Sequence, residues 1–112
     1  MTPREIHSLM RRFWYFGISA AEGYRHLMRG DDLDCDLLGQ LIDDYIATQD
    51  VIVYASARAC SCGEKRAAFG LIREYRLNDP RARVQVVAAN FTSRIVIEPI
   101  GVGVGEHRRI RS

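Results

Sequence analysis

The sequence predicts one α/β domain, α+β in arrangement: three N-terminal helices followed by β-α-β-β, with a small mixed three-stranded sheet packed against the helices. Three observations predict it. Apolar residues recur at helical spacing, behind capping signals, through residues 1–46. Short β-branched runs stand at 51–55, 83–89 and 94–98. A further helical stripe at 64–77 separates the first two runs. At 112 residues the chain is long enough to bury a core without disulfide staples.

The first helix opens on Thr2-Pro3-Arg4-Glu5, a capping box with Pro at the first helical position. Ile6, Leu9, Met10, Phe13 and Phe16 line its apolar face, while Arg4, His7, Arg11 and Tyr15 share the other; Gly17 breaks or ends it. Ser19-Ala20-Ala21-Glu22 is a second capping box, opening a short helix with Tyr24, Leu27 and Met28 inward that Gly30 stops. Asp31, Asp32 and Asp34 precede a third helix and complement its dipole. Leu33, Leu37, Leu38, Leu41, Ile42, Tyr45 and Ile46 form its wide apolar stripe, with Cys35 inside the stripe as a small buried hydrophobe. At about 100° per residue, Asp36, Gln40, Asp43 and Asp44 project from its opposite face.

Val51-Ile52-Val53-Tyr54-Ala55 reads as a buried strand, followed by a loop to Gly63. A fourth helix over 64–77 turns Ala68, Leu71, Ile72 and Tyr75 inward and ends at Asn78-Asp79-Pro80. Strands at 83–89 and 94–98 form a hairpin through Asn90-Phe91-Thr92-Ser93. The strands flanking the fourth helix are expected to be parallel. The globular domain is expected over 1–100, with the Gly-rich, basic residues 101–112 as a mobile tail.

Charge is sorted into blocks. Residues 1–30 carry a net +3, residues 31–50 a net −7 with no Lys or Arg, and residues 51–112 a net +6. Such fields act on partners more than on the fold. No apolar run approaches the roughly 20 residues that span a bilayer, and the first residues hold no signal-peptide core, so a cytoplasmic location without membrane contact is expected. Three cysteines, an odd number, argue for free thiols.

Two helices carry the candidate binding residues. On the fourth, Arg66, Phe69, Arg73 and Arg76 follow at spacings of three, four and three and share one face, with Lys65 beside them. An aromatic among cations suits phosphates with a stacking base, or an acidic protein surface. On the third, Asp36, Asp43 and Asp44 present carboxylates with no interspersed cation, which suits a basic partner. Phe13, Trp14 and Phe16 read as core or as a homodimer face. No metal site or cofactor is expected: Cys60-x-Cys62 is too tight for a zinc knuckle, and no Walker loop or G-x-G-x-x-G is present.

Cys60-Ser61-Cys62-Gly63-Glu64-Lys65-Arg66 is a Cys, five residues and an Arg between a strand and a helix. In spacing and context it is similar to the phosphate loop of cysteine-dependent phosphatases. The resemblance implies Cys60 as thiolate nucleophile and Arg66 as phosphate clamp. Residues 51–68 also look like a rhodanese strand, loop and helix, with Ala55 where that family has its Cys. The leading expectation is nevertheless a small non-enzymatic binding or regulatory protein, of an inhibitor or immunity type, that docks on a protein or nucleoprotein through the acidic and basic-aromatic helices. Direct DNA or RNA binding by helix 64–77 and a Cys60–Arg66 thiolate enzyme are the alternatives.

Overall fold

The computed structural model describes residues 1–13 and 23–107. In chain order the elements are α1 (Pro3–Phe13), β1 (Arg25–His26), β2 (Met28–Arg29), β3 (Asp32–Leu33), α2 (Cys35–Tyr45), β4 (Asp50–Ser56), β5 (Ala59–Glu64), α3 (Lys65–Asn78), β6 (Val84–Ala88), β7 (Ser93–Ile97) and β8 (Val102–His107). Six strands form one sheet in the order β1-β8-β7-β6-β4-β5, and β2-β3 is a separate hairpin. Every pairing is antiparallel. Among the described residues no helix is long and apolar enough to cross a membrane.

This corrects the expected fold of three N-terminal helices and a three-stranded mixed sheet. The expected loop after the first strand is strand β5. A two-residue turn joins it to β4, and only antiparallel strands can be joined that tightly. Ser56 closes that turn by accepting from the amides of Arg58 and Ala59 at 3.3 and 3.1 Å. Strand β4 therefore lies between β5 and β6, and α3 crosses from one to the other over it. The expected short helix with Tyr24, Leu27 and Met28 inward is instead extended over its described part. Leu27 is fully buried, but its amide donates to Gly101 O (3.0 Å) and its carbonyl accepts from Asp34 N (2.8 Å). Gly30, at φ +64°, turns the β2-β3 hairpin rather than stopping a helix. The Ser19–Glu22 capping box, Trp14, Tyr15, Phe16 and Gly17 lie outside the described residues.

The three remaining helices form for the reasons legible in their sequence. Thr2 and Glu5 cap α1 reciprocally: Glu5 N donates to Thr2 Oγ1 and Thr2 N to Glu5 Oε1, both at 3.2 Å. The bonds from Thr2 hold the Glu5 carboxyl below its ordinary value. Asp34 caps α2, accepting from the amides of Asp36 and Leu37 at 2.9 and 3.2 Å. Cys35, the first residue of that helix, is exposed rather than buried, because the first turn precedes the part of α2 that reaches the core.

The sheet buries both faces. Helices α2 and α3 cover one with Leu38, Leu41, Ile42, Ala68 and Ile72, against Val51, Val53, Val84, Val86, Ile95 and Ile97. Helix α1 covers part of the other with Ile6 and Met10, against Ile52, Cys60, Val87 and Phe91. The alternation of these strand residues is the period-two pattern of a sheet used on both sides. Phe91 holds a left-handed φ of 60° in the β6-β7 turn; its buried ring stacks on Phe13 at 5.2 Å, a contact that offsets the strain.

The glycine run expected to be a mobile tail supplies strand β8 over 102–107, and residues 108–112 lie outside the described part. Its glycines alternate to face α2. A Cβ on Gly105 would lie 2.1–2.3 Å from Tyr45 ring atoms, and one on Gly103 within 3 Å of Leu27 and Leu41. The missing side chains let α2 and Leu27 settle directly on the strand. Gly103→Val or Gly105→Ala should therefore lower stability by about 1–3 kcal/mol. Gly70→Ala, mid-helix with nothing within 4 Å, should raise it by about 0.5–1 kcal/mol; thermal denaturation of the three variants checks both signs.

Candidate functional site

The two charged helices lie side by side over one face of the sheet. Phe69 of α3 turns inward and lies 3.5 Å from where a Gly39 Cβ on α2 would stand. Beside this contact Lys65 Nζ donates to Ile46 O and stands 3.9 Å from the Asp43 carboxylate. The outer surface over this side of the sheet therefore joins the acidic face of α2 to the basic face of α3. Asp36, Gln40, Asp43 and Asp44 are exposed along the first, and Arg66 and Arg73 along the second.

Several of these charges are partly engaged. Asp44 pairs with Arg25 at 2.6 Å and Arg66 with Glu64 at 3.0 Å; exposed pairs of this kind contribute about 0–1 kcal/mol. Arg76 is half-buried, donating to the carbonyls of Glu98 (3.1 Å) and Pro99 (3.4 Å), and burial lowers its pKa. Of the predicted basic-aromatic stripe, then, Phe69 is packing, Arg76 braces the β7-β8 turn, and Arg66 and Arg73 face solvent.

Past the end of the α2–α3 seam lies a cleft of about 280 Å³. Asp31 and Asp32 line it from the β2-β3 hairpin, Arg73 and Arg76 from α3, with Met28, Leu77 and Pro99 supplying apolar surface. Leu77 is 75% exposed, and Ile100, next to Pro99 in sequence, is 80% exposed. Acidic and basic blocks distant in sequence thus meet across one apolar depression.

Cys60 and Arg66 are not brought into a loop. Cys60 is buried in β5, facing α1, with its Sγ 3.6 Å from Pro3 O. The chain continues extended to Glu64 before α3 begins, and Arg66 points into solvent. Burial raises the Cys60 thiol, whereas a nucleophile needs it lowered. Cys62 is exposed on the same strand. Among the described residues no group of three or more His, Cys, Asp or Glu is placed to hold a metal ion.

Two polar groupings escaped the sequence reading. Arg94, in central strand β7, is only 3% exposed; it donates to Gln85 Oε1 at 2.7 Å and lies 3.4 Å from the Glu106 carboxylate on β8, its register partner. Burial lowers the Arg94 pKa, and Glu106 offsets part of that effect. Its signal was a lone Arg inside Ser93-Arg94-Ile95-Val96-Ile97. His7 Nδ1 and Tyr54 Oη lie 2.6 Å apart at the α1–β4 contact. Burial raises the Tyr54 phenol, the neighbouring Cys60 adds to the rise, and Arg11 opposes it.

Glu106→Leu should cost about 3 kcal/mol, because it leaves the Arg94 charge buried without its carboxylate, and Arg94→Met with Glu106→Leu should recover most of that loss in denaturant titrations. Cys60 and Tyr54 hold their protons more tightly folded than unfolded. Each contribution is intact below that group's unfolded value, about 8.5 for the thiol and about 10 for the phenol, and is lost as pH rises above it. The melting temperature should fall with rising alkalinity, and less steeply for Cys60→Ala. No protein-family model, curated protein or solved structure matches this chain.

Proposed function

We propose that this is a non-enzymatic binding protein that docks on another protein through the joined α2–α3 surface and the cleft at its end. The observation that carries the reading is the approach of Phe69 on α3 to Gly39 on α2, which sets two oppositely charged helices side by side. A partner must then offer both signs, basic toward Asp36 and Asp43 and acidic toward Arg73, around an apolar group for the cleft. Protein surfaces supply that combination. Duplex nucleic acid, negative along its whole length, meets the α2 carboxylates as a repulsive flank, which ranks a nucleic-acid partner second. An inhibitory or regulatory role fits a small domain whose described residues bring no catalytic group to this surface.

Photo-crosslinkers at Asp36, Arg73 and Leu77, with Ser8 of α1 as control, test the reading. The expected result is one protein adduct shared by the first three positions, absent at Ser8, and lost when Asp36→Arg is combined with Arg73→Glu. Adducts of equal yield at Ser8 would refute the surface. Binding to nucleic acid whose log K falls by about 0.9 per phosphate contact on duplex DNA, per decade of salt, would refute the partner class.

A further inference from the structure

Strand β5 is the long open edge of the sheet. It pairs with β4 alone, whereas the opposite edge strand, β1, has only two residues. Among the described residues no further backbone strand lies along it. Edges of this kind are normally blunted by Pro, Lys or an inward charge. The segment Ala59-Cys60-Ser61-Cys62-Gly63-Glu64 has none of these before its terminal Glu64.

The same segment is complementary to itself. When two copies run antiparallel with Ser61 opposite Ser61, Cys60 falls opposite Cys62 and Ala59 opposite Gly63, each pair of similar size. Arg58, at the tip of the β4-β5 turn, falls opposite Glu64, the residue that ends the strand. Both are exposed. Glu64 makes no side-chain cap to α3; its ion pair with exposed Arg66 leaves its side chain 62% exposed. An Arg58–Glu64 pair, one residue from each copy, would therefore stand at each of the two ends of the interface, where opposite charges on facing strands attract. A shift of one residue puts Arg58 opposite Gly63 or Lys65 and destroys the charge match.

The geometry points to a homodimer formed by antiparallel β5–β5 pairing about a two-fold axis at Ser61, which joins two six-stranded sheets into one of twelve strands. The contact is isologous, so it closes at two copies and does not propagate. It leaves the α2–α3 surface and its cleft outside the strand pair, and it stands or falls independently of the docking reading above.

Sedimentation equilibrium on the full chain across a dilution series tests it. The wild type should approach twice the monomer mass of 12.7 kDa. Arg58→Glu and Glu64→Arg, each placing like charges opposite one another, should each shift the protein to monomer. Combining them restores opposite charges with the signs exchanged and should restore the dimer. Far-UV circular dichroism, unchanged for these exposed positions, separates loss of pairing from loss of folding, and the melting temperature should depend on concentration in the wild type and not in the single variants. A wild-type monomer at every concentration, or a dimer indifferent to the single reversals, overturns the proposal.

Discussion

The approach of Phe69 to Gly39 is the feature on which the outer surface depends: the ring stands 3.5 Å from where a Gly39 Cβ would lie. It sets the spacing between α2 and α3, and with it the distance between an acidic and a basic block that lie some thirty residues apart in sequence. A smaller residue at 69 would remove this packing between the helices, whereas a Cβ at position 39 would meet the Phe69 ring at 3.5 Å, an ordinary van der Waals distance. The glycines of β8 impose a tighter constraint one layer deeper, where an added Cβ would clash. Gly103 and Gly105 let α2 descend onto the strand, so Leu41 and Tyr45 meet backbone rather than side chains. Small residues, more than charge pairs, fix where the charges stand.

The two faces of the sheet use polarity differently. The α2–α3 face is apolar where it meets the sheet and charged on its outer side. The opposite face carries polar groups within the packing: Arg94 with Gln85 and Glu106, and His7 with Tyr54. Cross-strand placement of Arg94 against Glu106 fixes the β7-β8 register as well as neutralising the charge. A one-residue slip would carry Arg94 to the face occupied by Ile95 and Ile97, which packs against the helices. The buried ion pair thus specifies alignment in a strand otherwise made of near-equivalent apolar residues.

Helices α1, α2 and α3 were legible because each repeats its apolar residues at helical spacing, and α1 and α2 also begin with a recognisable capping signal. The stripes of Ile6 and Met10, of Leu38, Leu41 and Ile42, and of Ala68 and Ile72 lie where periodicity put them. Strand β5 was missed because Cys-Ser-Cys-Gly lacks β-branched side chains; its pairing is imposed by a tight turn and by β4, not by propensity. Strand β8 was missed because alternating glycine resembles a flexible tail, although the alternation itself marks the face that α2 approaches. The residues 66, 69, 73 and 76 do share a face, as spacing required. Spacing could not say that part of this face would be turned toward α2 and the β7-β8 turn, which takes Phe69 and Arg76 out of the exposed surface.

The nuclear Overhauser effect between the Gly39 Hα and Phe69 ring protons tests the central claim most directly. The account predicts a strong cross-peak, together with ring-current shifts of the Gly39 protons that vanish in Phe69→Leu. Absence of that cross-peak in the folded protein would separate α2 from α3 and remove the joined acidic and basic surface from which the binding function is argued.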